Sequence, residues 1–431
     1  YFSITLLFIG ESSMKNFFKT YKSVIILLAA IIIGAIVGIA FGEKAAVLSP
    51  LGDVFLNLLF VTIVPLIFLS ITTSISKIKQ PKRLGKILIT IIVLFAATTI
   101  IAALVGVFAT NVVKLVDTEN GEQIKASLET GTEETEETTT EDMTVLERTV
   151  KALTVSDFYG LLSKNNIIAL VAFSVLFGFA MRMAGEKAEP VEKFLNSAYE
   201  IILKFIELIN YYAPIGLGCY FAALVGTFGS SIAVGYLRTF IIYLVVTLVY
   251  YFGVYTVYAF IAGGKKGVVA FWKNIIPATV TALATCSSGA SIPVNMQSAK
   301  NIGVSEDIAD TVIPLGTSFH KDGSAIGSVF KIMFLVCLFA TNPSIWQVLL
   351  VSIIANLLIT AVPIGGGTIS EMMILSLMGY PVAALPILTM VATIIDAPAT
   401  VLNVIGDTAT AMMTARVVDG KYWMDKKKEI E

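Results

Sequence analysis

Charge is what this 431-residue chain has least of. Asp, Glu, Lys and Arg make up 14% of it, against about 25% in a soluble domain. Beside 56% hydrophobic residues, that scarcity excludes a soluble globule and points to a polytopic helical membrane protein. The single histidine, His320, leaves no multi-histidine metal centre. The three cysteines, Cys219, Cys286 and Cys337, have neither disulfide-framework nor metal spacing. There is no HExxH, no GxSxG and no nucleophile–base pair, which argues against an intramembrane enzyme. A net charge of −1 gives no footing for nucleic acid. No appended soluble domain of a receptor is visible. A channel stays open as a class, and currents linear in voltage without a coupled gradient would mark it.

Long hydrophobic runs are abundant. A membrane span takes roughly 20 apolar residues, and 23–41, 53–76 (with Pro65 inside), 87–113, 166–184, 193–227 and 231–263 qualify. Residues 1–21 form an N-terminal tail. Its first 13 are apolar but lack the basic stretch of a signal peptide. Met14 is the expected start, with a genuine apolar extension as the alternative. Residues 114–150 are acidic and Thr-rich, the composition of an exposed loop, and they lack the spacing of a calcium loop. Segments 268–298 and 345–378 are apolar at their ends and small and polar in the middle (Ser287, Ser288, Gly289; Gly365, Gly366, Gly367). That is the pattern of hairpins entering and leaving on one face. Segments 306–341 and 382–418 read as spans broken near their middles. The expected fold is all-α: eight transmembrane helices plus two re-entrant helical hairpins.

Orientation follows Lys and Arg in short loops. Lys15, Lys19, Lys22, Lys77, Lys79, Lys82, Arg83, Lys86, Arg182, Lys187, Lys265, Lys266 and the lysines of the 419–431 tail thread to one side. That side is cytoplasmic, both termini lie on it, and the acidic loop falls outside. The order hairpin, broken span, hairpin, broken span is then an inverted repeat. Transporters hold solute and ion at such an interface, using half-helix ends and unwound carbonyls.

Two polar stretches carry the chemistry. Residues 281–328 surround His320-Lys321-Asp322-Gly323-Ser324, and intramembrane charge is rare without a use. Either Asp322 and freed carbonyls hold a cation, or Lys321 and Asp322 neutralise one another. Asp396, Thr400, Asn403 and Asp407 are spaced four, three and four apart, one face of a helix. They line a cavity, or they form an interhelical hydrogen-bond seam. Ser287, Ser288 and Gly289 suit a hairpin tip where backbone approaches a ligand closely. Thr98 and Thr99 offer hydroxyls to an ion or to a neighbouring helix. Glu371 and Lys331 are further charges in apolar context. Glu371 is a proton carrier or sits at a wet hairpin edge. His320 is a titrating group or a neutral, hydrogen-bonded ring.

At these residues the chain resembles the dicarboxylate/amino acid:cation symporter family, the glutamate transporters. SSGASIP (287–293) is similar to its serine-rich first hairpin, PLGTSFHKDGSA (314–325) to its broken seventh span and DAPATVLNVIGD (396–407) to its eighth. The resemblance implies a homotrimer in the cell membrane, in contact with lipid, carrying an amino acid with sodium by an elevator motion. A scaffold (about 22–80 and 150–227) holds a moving transport domain (about 84–113 and 231–418). It further implies that Asp396 holds the substrate ammonium and that Thr400 and Asn403 frame its carboxylate. Cys286, Ser287, Ser288, Ser324, Val362 and Pro363 close around it. Asp407 with carbonyls of Gly316, His320 and Asn403 makes one sodium position. Asp322, Thr98 and Thr99 make a second, and carbonyls near Ser318 and the second hairpin a third.

Three departures shape the expectation. The Arg that reads a side-chain carboxylate in acidic-substrate members is Ala399 here, with Pro398 before it. A bidentate Arg is the natural reader of a second carboxylate, so a small neutral amino acid such as serine, alanine or threonine is expected. An acidic amino acid or C4-dicarboxylate, read by Lys331 or Lys321, is the alternative. The family's usual Asn-Met-Asp is His320-Lys321-Asp322, and a Tyr of the buried sodium position is Phe95. Weaker or altered sodium coupling is expected, with a proton contribution as a further option.

Overall fold

The computed structural model describes residues 26–27, 29–76, 84–116, 154–163, 166–357 and 368–424. The N-terminal tail, the acidic stretch 117–150, and Val362 and Pro363 of the second hairpin lie outside the described residues. Every regular element among the described residues is helical. They are α1 (29–41), α2 (Ser49–Ser76), α3 (Leu84–Val112), α4 (Ile167–Ala184) and α5 (Glu189–Phe228). Then come α6 (Ser230–Val249), a π turn (Tyr250–Val254) and α7 (Tyr255–Asn274). The rest are α8 (Ile276–Thr285), α9 (Ser288–Ile302), α10 (Glu306–Phe319), α11 (Asp322–Leu338), α12 (Ile345–Leu357), α13 (Thr368–Met378) and α14 (Leu385–Val418). Five stretches among the described residues, including Lys86–Val112 and Val382–Val418, are long and apolar enough to cross a membrane by length and composition. Large apolar side chains such as Ile33, Phe108, Leu208 and Trp346 stand exposed on the outside, where lipid suits them.

The helices pack in two groups. One gathers on α2, which lies against α4 and α5. In the other, α14 touches α3, α6 to α11 and α13. Residues 398–415 of α14 are all buried, so this helix is the axis of its group. The first hairpin appears as α8 and α9 joined by Cys286 and Ser287. The 306–341 span is broken as expected: α10 stops at Phe319, His320 is extended and Lys321 non-helical, and α11 begins at Asp322.

The 382–418 span departs from expectation. It is not broken; α14 runs through 34 residues with Pro398 inside. A proline removes one backbone donor and crowds one carbonyl, and helix-interior prolines are tolerated where neighbouring helices re-satisfy the backbone. Asn403, Asp407 and Thr408 of α14 find partners on other elements while the helix stays intact around them. The tail from residue 419 also begins inside the fold: Trp423 is buried and its Nε1 donates to the Ala262 carbonyl at 2.8 Å.

In the first group α1 and α5 approach backbone to backbone. A Cβ on Gly34 would collide with the Gly218 carbonyl. Gly34→Val is expected to destabilise by about 1–3 kcal/mol, the usual cost of overpacking, read as a lowered thermal midpoint in detergent. Gly253→Ala, whose added methyl meets open space, should leave the midpoint unchanged.

Candidate functional site

The site forms where the hairpin tip and the break between α10 and α11 face the middle of α14. Cys286 ends α8 in a left-handed conformation (φ 47°), an uncommon backbone for a residue with a Cβ. Ser287 then caps α9, its hydroxyl accepting from the Ala290 amide at 3.2 Å. Cys286, Ser287 and Ser288 are buried, though near the boundary.

Asn403 ties α14 to the start of α11. Its Oδ1 accepts from the Ser324 amide at 3.1 Å and its Nδ2 donates to Ser324 Oγ at 3.0 Å. One of the orphan amides of a helix start is thereby satisfied by a side chain. Gly323 permits this contact, because a Cβ there would strike the Ala399 backbone. The Tyr243 hydroxyl donates to the Gly323 carbonyl at 2.7 Å. Thr400 and Ala399 are buried, and Asp396 is half-buried on the same helix face.

One turn further, Asp407 lies against Gly316 and 3.0 Å from His320 Nδ1. His320 Nε2 is 2.7 Å from Thr98 Oγ1 and 3.1 Å from Asp322 Oδ1. Lys321 is buried. Thr99 is buried beside Thr98. Ser318 is exposed, its hydroxyl on the Pro314 carbonyl at 3.3 Å. So the structure brings together Thr98, Gly316, His320, Asp322 and Asp407, and separately Ser324, Ala399 and Asn403. Ser318 stands apart.

Sequence reasoning missed several partners. Asn295 on α9 is buried; its Nδ2 donates to the Val404 carbonyl at 2.7 Å and its Oδ1 accepts from Thr408. The Tyr255 hydroxyl sits 2.5 Å from the Leu402 carbonyl and 3.3 Å from Asp322 Oδ2. Lys331 and Glu371, read as separate charges, form a buried pair (Nζ to Oε1 3.7 Å), and Thr389 donates to Glu371 Oε2 at 2.8 Å. Two opposite charges in apolar sequence were the available signal for that pair.

A family model described as the sodium:dicarboxylate symporter family matches residues 23–417. The chain belongs to that family. It is 27% identical over 93% of its length to a proton/sodium-glutamate symport protein of Geobacillus stearothermophilus, covering 95% of that protein. It is 26% identical to a C4-dicarboxylate transport protein of Bacillus subtilis (strain 168), over 96% of this chain and 97% of that one. It is also 24% identical to excitatory amino acid transporter 2 of Mus musculus, over 89% and 77%. This member of the symporter family is thus a membrane transport protein and not an enzyme.

Breaking a buried ion pair from one side costs about 3–5 kcal/mol, whereas replacing both partners is far milder. Lys331→Met is therefore expected to lower the thermal midpoint strongly, and Lys331→Met combined with Glu371→Gln to recover most of the loss. Equal loss in the single and double variants would show that the two side chains are not coupled.

Proposed function

We propose that this symporter carries a small neutral amino acid of the serine, alanine or threonine kind. The observation that carries the reading is the surroundings of Ala399. No guanidinium stands there, and two buried bases near the site already face acids. Lys331 faces Glu371, and His320 lies between Asp322 and Asp407. A second substrate carboxylate would have to strip one of them from its partner, leaving a buried charge uncompensated. Two of the relatives named above carry glutamate or C4-dicarboxylates by their names, so this chain would differ from them in solute.

Asp396 would take the substrate ammonium. Thr400 and Asn403 would frame the α-carboxylate, with backbone at Cys286, Ser287 and Ser288, and Val362 and Pro363 from the second hairpin, closing over it. Ser324 would orient Asn403. The packing groups favour a scaffold (about 22–80 and 150–227) and a moving transport domain (about 84–113 and 231–418), related by an elevator motion. A homotrimer in the cell membrane, both termini cytoplasmic, completes the reading. Cation coupling is the family's property; sodium is the proposed ion, with the proton as the second candidate.

Thermal stability of the purified protein against amino acids and C4-dicarboxylates tests the solute. A ligand at a hundred times its dissociation constant stabilises by about 2.7 kcal/mol. Serine, alanine or threonine should give the shift, and aspartate and succinate none. A shift with aspartate or succinate alone would overturn the argument from Ala399. Ala399→Arg is expected to gain aspartate binding; a folded variant without it would mean position 399 does not read the side chain.

A further inference from the structure

The His320 ring stands at the meeting point of two sodium positions implied by the resemblance. It stacks on Phe95, with centroids 4.5 Å apart and planes 14° apart. Its Nε2 edge meets Thr98 Oγ1 at 2.7 Å and Asp322 Oδ1 at 3.1 Å. Its Nδ1 meets Asp407 Oδ1 at 3.0 Å. Thr98 and Asp322 belong to one implied position and Asp407 to the other. An ion between such oxygens needs them turned toward a shared empty point, and here the imidazole fills that point.

The hydrogen bonds supply the charge as well as the bulk. Thr98 Oγ1 donates to the Leu94 carbonyl at 2.9 Å, so it accepts from Nε2. Asp407, a carboxylate, accepts from Nδ1. A histidine that donates from both nitrogens is imidazolium. Asp322 Oδ1 accepts no hydrogen bond, and its near neighbour is this ring edge. Lys321 is buried next in sequence. Two carboxylates thus meet a cation that is part of the chain. The donor set present does not fit sodium at either position.

We infer that His320 is a built-in cation that pre-empts the sodium positions at Asp322 and Asp407. The third implied position draws on neither carboxylate. This rests on membership of the family and is independent of which solute is carried.

The test counts bound radiolabelled sodium on the purified full chain with no amino acid present, beside its thermal shift in sodium chloride against choline chloride. The expected count is at most one sodium per chain. H320N/K321M, which puts back the family's usual pair, is expected to bind at least one more and to gain a sodium-dependent shift. His320→Gln alone should move in the same direction. Two or more sodium ions on the wild-type chain overturn the inference, and so do folded variants that bind no more than wild type. If the double variant fails to fold, the wild-type count and His320→Gln decide. The count is unaffected if serine, alanine and threonine all fail to bind, so failure of the solute reading is distinguishable.

Discussion

A helix broken at membrane depth leaves amides and carbonyls that lipid cannot satisfy. The second packing group is organised around answering that constraint. The break at His320 and Lys321 frees the start of α11, and Asn403 reaches across from α14 to bond Ser324 twice. Tyr243 takes the Gly323 carbonyl from α6, and Asn295 bonds α14 from the hairpin. Because α14 stays continuous, it holds its partners at fixed helical intervals. The site is therefore the place where polar groups that must be satisfied are satisfied by one buried helix.

Charge obeys the same logic. Ionised groups are expensive away from water unless each has a partner. Around α11, α13 and residues 396–407 of α14 the described acids are Asp322, Asp407, Glu371 and Asp396, and the described bases are His320, Lys321 and Lys331. Three acids lie beside these bases. Asp396 is the remaining acid, it is half-buried, and it is one turn from Thr400. An ammonium brought by a substrate would complete the set. A side-chain carboxylate would unbalance it, and this favours a neutral amino acid over the solutes named for the relatives.

Much of this was legible before any coordinates. The spacing of Asp396, Thr400, Asn403 and Asp407 fixes one helix face whatever the helix packs on. Gly323 beside charged residues marks a break, because glycine and buried charge are both costly in a membrane helix unless used. Spans follow from apolar length alone. What sequence could not give is partnership across distance. Asn295 looks like any polar residue of a hairpin arm, and only packing places it on Val404 and Thr408. Lys331 and Glu371 lie on different elements, and no local rule pairs them. The continuity of α14, where a broken span is expected over 382–418, has the same origin: Asn403, Asp407 and Thr408 meet partners from other elements without the helix unwinding.

The built-in cation carries a consequence for motion. A transport domain that crosses a membrane must not expose uncompensated charge to lipid, because even a single charge at the bilayer centre costs several kcal/mol. Where Asp322 and Asp407 depend on diffusible ions for neutrality, an unloaded domain is penalised by those two carboxylates, and the penalty enforces coupling. With His320 supplying counter-charge between the two carboxylates permanently, that penalty is reduced. On the proposed function, what would still distinguish the loaded from the empty domain is Asp396, which the substrate's own ammonium would neutralise. Coupling in this chain would then be governed mainly by the solute, with the ion gradient acting through whatever position lies outside the His320 cluster.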